Sequence, residues 1–209
     1  MLMTQAEARP YETTEVLSSS MRSQTLGLYR LASVAGLGSA LILLVNAAKR
    51  SGLIAASDLT QILAPLAEIL ALGAVTGLFF AAGRRAGLFG TIAFAVNFVA
   101  LASLVGVEMV INLVFSKLPM PVIAELLAGP LGLVFKVSSM LFLIASLAFV
   151  LSLIIAKGVP RIPLVLYAIS ATPIALRAFV PEWLLDLGLA GLAVALVWLS
   201  VCLWRGAAR

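Results

Sequence analysis

The sequence predicts an all-α protein, a polytopic bundle of about six transmembrane helices with both termini in the cytoplasm. Of its 209 residues, 63% are hydrophobic and 11% are charged, and the mean hydropathy is +1.16. Such a chain has too little polar surface to cover a soluble globule. Its apolar residues also lie in runs near the roughly 20 residues that a helix needs to cross a bilayer. The lipid bilayer is therefore the first expected partner.

Residues 1–24 form a polar segment that mixes charged residues with serine and threonine and has no apolar period. This composition predicts a flexible amino-terminal tail. We expect a single transmembrane domain over residues 25–205, followed by a short carboxyl-terminal tail over residues 206–209.

Six apolar runs predict the spans, because each run ends at charge, proline or glycine. Their bounds are 31–45, 59–82, 87–115, 131–156, 163–179 and 183–204. Segment 117–129 is too short to cross, and its prolines predict a short outer interfacial helix that begins near Pro121. We interpret this segment as an amphipathic connector, with a partner or lipid contact as the alternative.

The basic residues predict an orientation. With six spans and a cytoplasmic amino terminus, nine of the 14 lysines and arginines fall on the inside: Arg9, Arg22, Arg30, Arg84, Arg85, Lys157, Arg161, Arg205 and Arg209. The positive-inside rule therefore favours cytoplasmic termini.

Glu68 is the clearest charged residue inside a predicted span. It follows Leu59 by nine residues, about 14 Å along a helix, which is close to mid-membrane. Pro65 cannot donate its backbone hydrogen bond, so we expect a kink beside the carboxylate. Glu68, Pro65 and Asn97 of the next span form a candidate intramembrane polar site for a proton or cation. The alternative is a neutral glutamic acid that stabilises the bundle.

Glu108 and Asn112 share one face of the third span with Asn97. Lys136 enters the membrane from the same side to a similar depth, so we expect an ion pair with Glu108. Structural pairing is favoured over a gate that opens when the pair parts. Arg177 is expected to snorkel to the surface.

Small residues predict close helix packing. Gly73, Gly77 and Ala81 form a stripe on the second span, and Gly36 lies in a similar stripe on the first. Such stripes let helix axes approach closely. We favour packing inside one bundle over a dimer interface.

Several functions are disfavoured by composition. Histidine is absent and Cys202 is the single cysteine, so no His-based metal site or nucleophile pair is expected. No metal, catalytic residue or cofactor is predicted, although a bound lipid is compatible with the sequence. The scattered basic residues do not predict a nucleic-acid surface.

Two stretches resemble a family of bacterial six-helix membrane proteins whose function is unassigned. They are Leu66-Ala-Glu-Ile-Leu-Ala-Leu-Gly-Ala-Val-Thr-Gly77 and Lys157-Gly-Val-Pro-Arg-Ile-Pro163. The resemblance implies the six-span layout over residues 25–205, an acid at Glu68 and a bacterial cytoplasmic membrane. Family members tend to carry an arginine and a glutamate where this chain has Asn97 and Ala100, so a shared charge network is not implied.

Three hypotheses for the function follow. The favoured one is a non-catalytic membrane subunit or scaffold that binds other membrane polypeptides. The second is a carrier or channel for a proton, cation or small lipophilic molecule that uses Glu68. An intramembrane enzyme acting on a lipid is third, because no catalytic cluster is evident.

Overall fold

A computed structural model describes the backbone of residues 10–207 and the side chains of residues 23–206. Within this part of the chain, all regular secondary structure is helical. The α-helices are α1 (Pro10–Arg50), α2 (Asp58–Ala82), α3 (Gly87–Met109), α4 (Met120–Ala128), α5 (Pro130–Ala156), α6 (Arg161–Ala175) and α7 (Glu182–Ala207).

Among the described residues, four helical stretches are long and apolar enough to cross a membrane: Ser23–Arg50, Asp58–Lys117, Pro130–Ala156 and Glu182–Gly206. The 60-residue stretch Asp58–Lys117 turns at the 3₁₀ segment Gly83–Ala86, so α2 and α3 are separate arms of 25 and 23 residues. Helix α6 is shorter, with 15 residues. These lengths and compositions are those of a helical membrane protein, as the sequence predicts.

The six helices other than α4 form a closed ring around the core. Helix α1 packs against α2 and α7, α2 against α3, α3 against α5, α5 against α6, and α6 against α7. The four-residue turn Gly83–Ala86 makes α2 and α3 antiparallel neighbours. Each long helix therefore contributes one face to the core and leaves another face exposed.

Small residues determine the closest helix contacts. A Cβ atom added at Gly73 would meet the Ala35 Cβ atom at 3.1 Å, and one added at Gly77 would overlap Ala32. Gly36 faces both Ser200 of α7 and Ala74 of α2. The small-residue stripes therefore pack α1, α2 and α7 together within this chain, whereas Ala81 lines a cavity near the end of α2.

The bundle has two chemically different ends. We call the end with the connections 83–86 and 157–160 the basic end; it carries Arg30, Arg84, Arg85, Lys157, Arg161 and Arg205. There the Arg30 guanidinium lies 5.7 Å from the centre of the Trp204 ring. We call the opposite end, with the connections 51–57, 115–119 and 176–181, the polar end. It carries both acids and bases, including the Lys117–Asp58 ion pair at 2.7 Å.

Some boundaries differ from the sequence prediction. Helix α1 begins at Pro10, inside the segment 1–24 that the sequence predicts as a tail; residues 1–9 of that segment lie outside the described part. Helix α7 continues to Ala207, so it includes the first two residues of the predicted tail 206–209. The last two residues of that tail lie outside the described part. Helix α4 occupies the predicted interfacial segment, with Pro121 in its first turn.

Candidate functional site

A polar cavity of about 210 Å³ opens at the polar end between α1, α2, α3, α6 and α7. Its volume has room for several water molecules. Its lining residues combine charged and amide side chains with a few aliphatic ones: Asn46, Lys49, Arg50, Gln61, Glu68, Glu108, Ile111, Asn112, Ile174, Arg177, Leu185 and Leu189.

A chain of hydrogen bonds holds one wall of the cavity. The Lys49 ammonium donates to Gln61 Oε1 at 3.1 Å and to Asn112 Oδ1 at 2.9 Å. Asn112 Nδ2 in turn donates to Glu108 Oε2 at 2.8 Å. The other carboxylate oxygen, Glu108 Oε1, accepts from Arg177 Nη1 at 3.2 Å. Glu108 is therefore fully engaged, because a side-chain partner contacts each of its oxygens.

Helix α3 changes geometry where it meets this network. Val110–Val114 is a π-helix, and a 3₁₀ turn, Phe115–Lys117, follows it. Asn112 lies in the wider π turn, and its Nδ2 also donates to the Glu108 carbonyl oxygen at 2.9 Å. Single π turns inside α-helices are frequent at functional sites.

A second charge cluster lies beside the mouth of the cavity. The Arg50 guanidinium pairs with Glu182 and lies 3.4 Å from Asp186 Oδ1. This cluster joins the end of α1 to the first turns of α7. The two acids neutralise the charge of Arg50. The mouth of the cavity therefore carries a paired guanidinium beside the Lys49 ammonium.

Glu68 lies at the inner part of the cavity and differs from Glu108. It is ten residues from the start of α2, about 15 Å below the polar end. Its carboxylate has no ion pair or hydrogen bond within the part of the chain that the structure describes. Its side chain is half-buried. An acid at this depth without a fixed partner is costly in a membrane and indicates a functional role.

Beyond Glu68 lies a smaller space of about 20 Å³, bordered by Glu68, Ser39 and Tyr167 among apolar side chains. This volume is just enough for one water molecule. Ser39 Oγ is buried without a hydrogen-bond partner among the described residues, so such a water would satisfy it. Further along the bundle axis the core contains four fully buried apolar side chains, Val75, Leu153, Leu196 and Leu199.

Pro65 is buried inside α2, one turn before Glu68. Because proline has no N–H group, the Gln61 carbonyl loses its usual helical donor. Helix α2 nevertheless continues as one α-helix through Pro65. Gln61 and Glu68 both line the cavity, so this part of α2 forms one side of the site.

Asn97 lies elsewhere. It is fully buried, and its Oδ1 accepts from Ser146 Oγ of α5 at 3.1 Å. Asn97 is absent from the cavity lining, so the structure does not bring it together with Glu68 as the sequence predicts. Tyr167 lies next to Ser146, the partner of Asn97, and it borders the same small space as Glu68.

Lys136 requires a correction. The structure pairs Glu108 with Arg177, whereas Lys136 lines a different, apolar cavity. Glu108 and Lys136 lie at similar predicted depths in the membrane, but they line different cavities. Arg177 accordingly does not snorkel freely, since its side chain is 31% exposed and contacts Glu108.

Seven polar residues of the site were not predicted from the sequence: Ser39, Asn46, Lys49, Arg50, Gln61, Tyr167 and Arg177. A signal for four of them exists in the spacing. Ser39 and Asn46 are seven residues apart, as are Gln61 and Glu68, and Lys49 follows Asn46 by three. Such spacings place side chains on one helical face. Tyr167 offers no comparable pattern.

The described residues contain no group of three or more histidine, cysteine, aspartate or glutamate side chains arranged to hold a metal ion. Comparison with known proteins finds no matching protein family, curated protein or solved structure.

Proposed function

We propose that the protein is a small multi-pass membrane carrier or channel that takes up protons at Glu68 through the polar cavity. The observation that supports this is the position of the carboxylate. It lies deep in the bundle, has no partner among the described residues, and borders a cavity that opens at the polar end.

The charges of the cavity favour a proton over a metal cation. Hard cations in proteins are held by several oxygen ligands, whereas Glu68 is the one carboxylate of this cavity that is not already engaged by a cation. The Lys49 ammonium at the same cavity repels other cations. A proton needs neither several ligands nor an unobstructed path, because it moves along water and hydroxyl groups.

A bacterial cytoplasmic membrane is the proposed location, on the resemblance of the two sequence stretches. With the termini in the cytoplasm, as the basic residues favour, the polar end faces outward. Glu68 would then exchange protons with the external solution through the cavity.

The test is a proton flux assay on the full chain reconstituted in liposomes. An outward potassium gradient in the presence of valinomycin makes the liposome interior negative, and this membrane potential drives protons inward. The dye pyranine, enclosed in the liposomes, reports the internal pH. We expect Glu68→Gln to reduce the flux about tenfold or more, because the amide keeps the shape but cannot titrate. The matched control is Glu125→Gln, which removes the same charge from an exposed position on α4.

Folding must be separated from transport in this assay. Glu68 makes no hydrogen bond or ion pair with the described residues, so Glu68→Gln should remain monodisperse in detergent and keep a melting temperature close to that of the wild type. Wild-type flux no faster than in empty vesicles would contradict the proposal. Equal flux in the wild type and Glu68→Gln would also contradict it.

A non-catalytic membrane subunit or scaffold is the second candidate. It is favoured by the fully buried apolar side chains that pack between Glu68 and the basic end, including Val75, Leu153 and Leu199. Gentle detergent extraction followed by mass spectrometry of the intact particle tests it. Stoichiometric partner polypeptides would favour the scaffold, and a lone chain would favour the carrier.

An intramembrane enzyme has weaker support. Glu68 and Glu108 do line one cavity, which sequence analysis did not expect. The cavity of about 210 Å³ is smaller than the roughly 300–1,000 Å³ of typical ligand pockets, and Glu108 is held by Arg177 and Asn112.

A further inference from the structure

A second, apolar cavity of about 550 Å³ lies at the polar end between α3, α4, α5 and the end of α6. Three phenylalanines, Phe115, Phe135 and Phe179, line it together with aliphatic side chains, and the Phe115 and Phe135 rings lie 5.8 Å apart. Leu127 of α4 also lines it, so the interfacial helix borders the opening. Its volume lies in the range of ligand-sized pockets.

Lys136 is the cation of this cavity that has no partner among the described residues. Six residues after the start of α5, it lies about 9 Å along the helix. No hydrogen bond or ion pair joins its ammonium to the described residues. A lysine within an apolar span is costly unless an anion or water compensates it. The Lys136 side chain is exposed, so its ammonium is accessible to an external anion.

Arg177 forms the boundary between the two cavities, because it lines both. Its Nη1 donates to Glu108, and the guanidinium has further N–H groups that can donate elsewhere. The apolar cavity thus has two cationic side chains at its edge and an aromatic, aliphatic interior.

We infer that this cavity binds one anionic phospholipid, with an acyl chain among the aromatic side chains and the phosphate at Lys136. Charge complementarity selects the head group, because Lys136 supplies the unpaired positive charge. The apolar interior selects a chain-bearing molecule over a free anion. Since the site does not include Glu68, the inference stands independently of the proton proposal.

The test is a lipid titration of the detergent-purified full chain, read by native mass spectrometry. Dioleoyl phosphatidylglycerol is compared with zwitterionic dioleoyl phosphatidylcholine. We expect the wild type to bind one phosphatidylglycerol about tenfold more tightly, the magnitude of one charge-assisted hydrogen bond. Lys136→Gln should lower that preference to near unity.

The matched control is Lys117→Gln. It removes the same charge at the same end, but Lys117 is paired with Asp58 and does not line the cavity. We expect this variant to keep the lipid preference. An equal loss in Lys117→Gln and Lys136→Gln would show general surface attraction and overturn the inference, as would an unchanged preference in Lys136→Gln.

Two further measurements identify the ligand class. Ser139→Phe fills the cavity and should reduce binding of both lipids, whereas unchanged binding would place the lipid elsewhere and contradict the site. Inorganic phosphate or glycerol phosphate at millimolar concentration should not displace the lipid. Displacement would show a small-anion site and overturn the lipid assignment. Glu68→Gln should bind lipid as the wild type does.

Discussion

The two glutamates of the polar cavity have opposite environments, and this contrast determines what each can do. Glu108 accepts hydrogen bonds from Asn112 and Arg177, so its charge is compensated and its position fixed. Glu68 borders the same cavity without a comparable partner among the described residues. A carboxylate that is held by an ion pair stabilises the fold. A carboxylate without such a partner can exchange a proton with little effect on the stability of the fold.

The Glu108–Arg177 pair leads to a stability prediction. Arg177→Met should destabilise the bundle by about 2 kcal/mol, because it leaves Glu108 half-buried without its cation. The cost is below that of a fully buried pair, since the side chains are 18% and 31% exposed. Thermal or denaturant unfolding of the detergent-purified chain measures it.

A double-mutant cycle completes this test. Adding Glu108→Gln to Arg177→Met should recover much of the loss, because the unpaired charge is then absent. Lys136→Met is the matched control and should leave stability nearly unchanged. Additive effects of the two substitutions at positions 108 and 177 would contradict the pairing.

Individual residues also show the limits of sequence-based prediction. Glu68 could be found because an acid within an apolar run is unusual at any position. The partner of Glu108 could not be found from the sequence, because the predicted pair with Lys136 depended only on the depth of the two residues along their helices. Depth does not specify the direction in which a side chain points, nor that Arg177, beyond the end of α6, lies next to α3.

At the scale of helices, the crossing of α1 and α2 depends on Gly77, where an added Cβ atom would overlap Ala32. Gly77→Ala should therefore destabilise the bundle by about 1–3 kcal/mol through overpacking. Gly106→Ala is the matched control, because nothing lies within 4 Å of its added Cβ atom and alanine favours the helix.

Detergent unfolding of both glycine variants provides the measurement. Gly106→Ala should be neutral or slightly stabilising. Equal stability of Gly77→Ala and Gly106→Ala would mean that α1 and α2 do not approach as closely as the structure indicates.

Helix positions were more predictable than their local geometry. Five of the six apolar runs lie within helical segments, and the run 163–179 extends four residues beyond the end of α6. Composition dictates where a chain can satisfy its backbone inside lipid. The sequence did not predict the π segment Val110–Val114, the extension of α1 to Pro10, or the end of α6 at Ala175. These features depend on packing and on side-chain hydrogen bonds, which apolar periodicity does not describe.

At the scale of the whole molecule, the distribution of charge separates the two ends. Among residues 23–206, every aspartate and glutamate lies at the polar end or on the helix halves that lead to it, whereas the charged residues of the basic end within that range are arginines and lysines. Both the polar and the apolar cavity open toward the polar end. The orientation of the bundle therefore decides which compartment the two cavities face, and in the proposed function which compartment would supply protons to Glu68.

Cysteine labelling in intact bacterial cells tests this orientation. In a Cys202→Ala background, Ala55→Cys marks the polar end and Gly206→Cys marks the basic end; both positions are exposed. The positive-inside rule predicts that a membrane-impermeant maleimide labels Ala55→Cys in intact cells and Gly206→Cys only after permeabilisation. Labelling of both from one side would contradict the bundle's placement across the membrane. The reverse pattern would contradict cytoplasmic termini and place the mouth of the polar cavity in the cytoplasm.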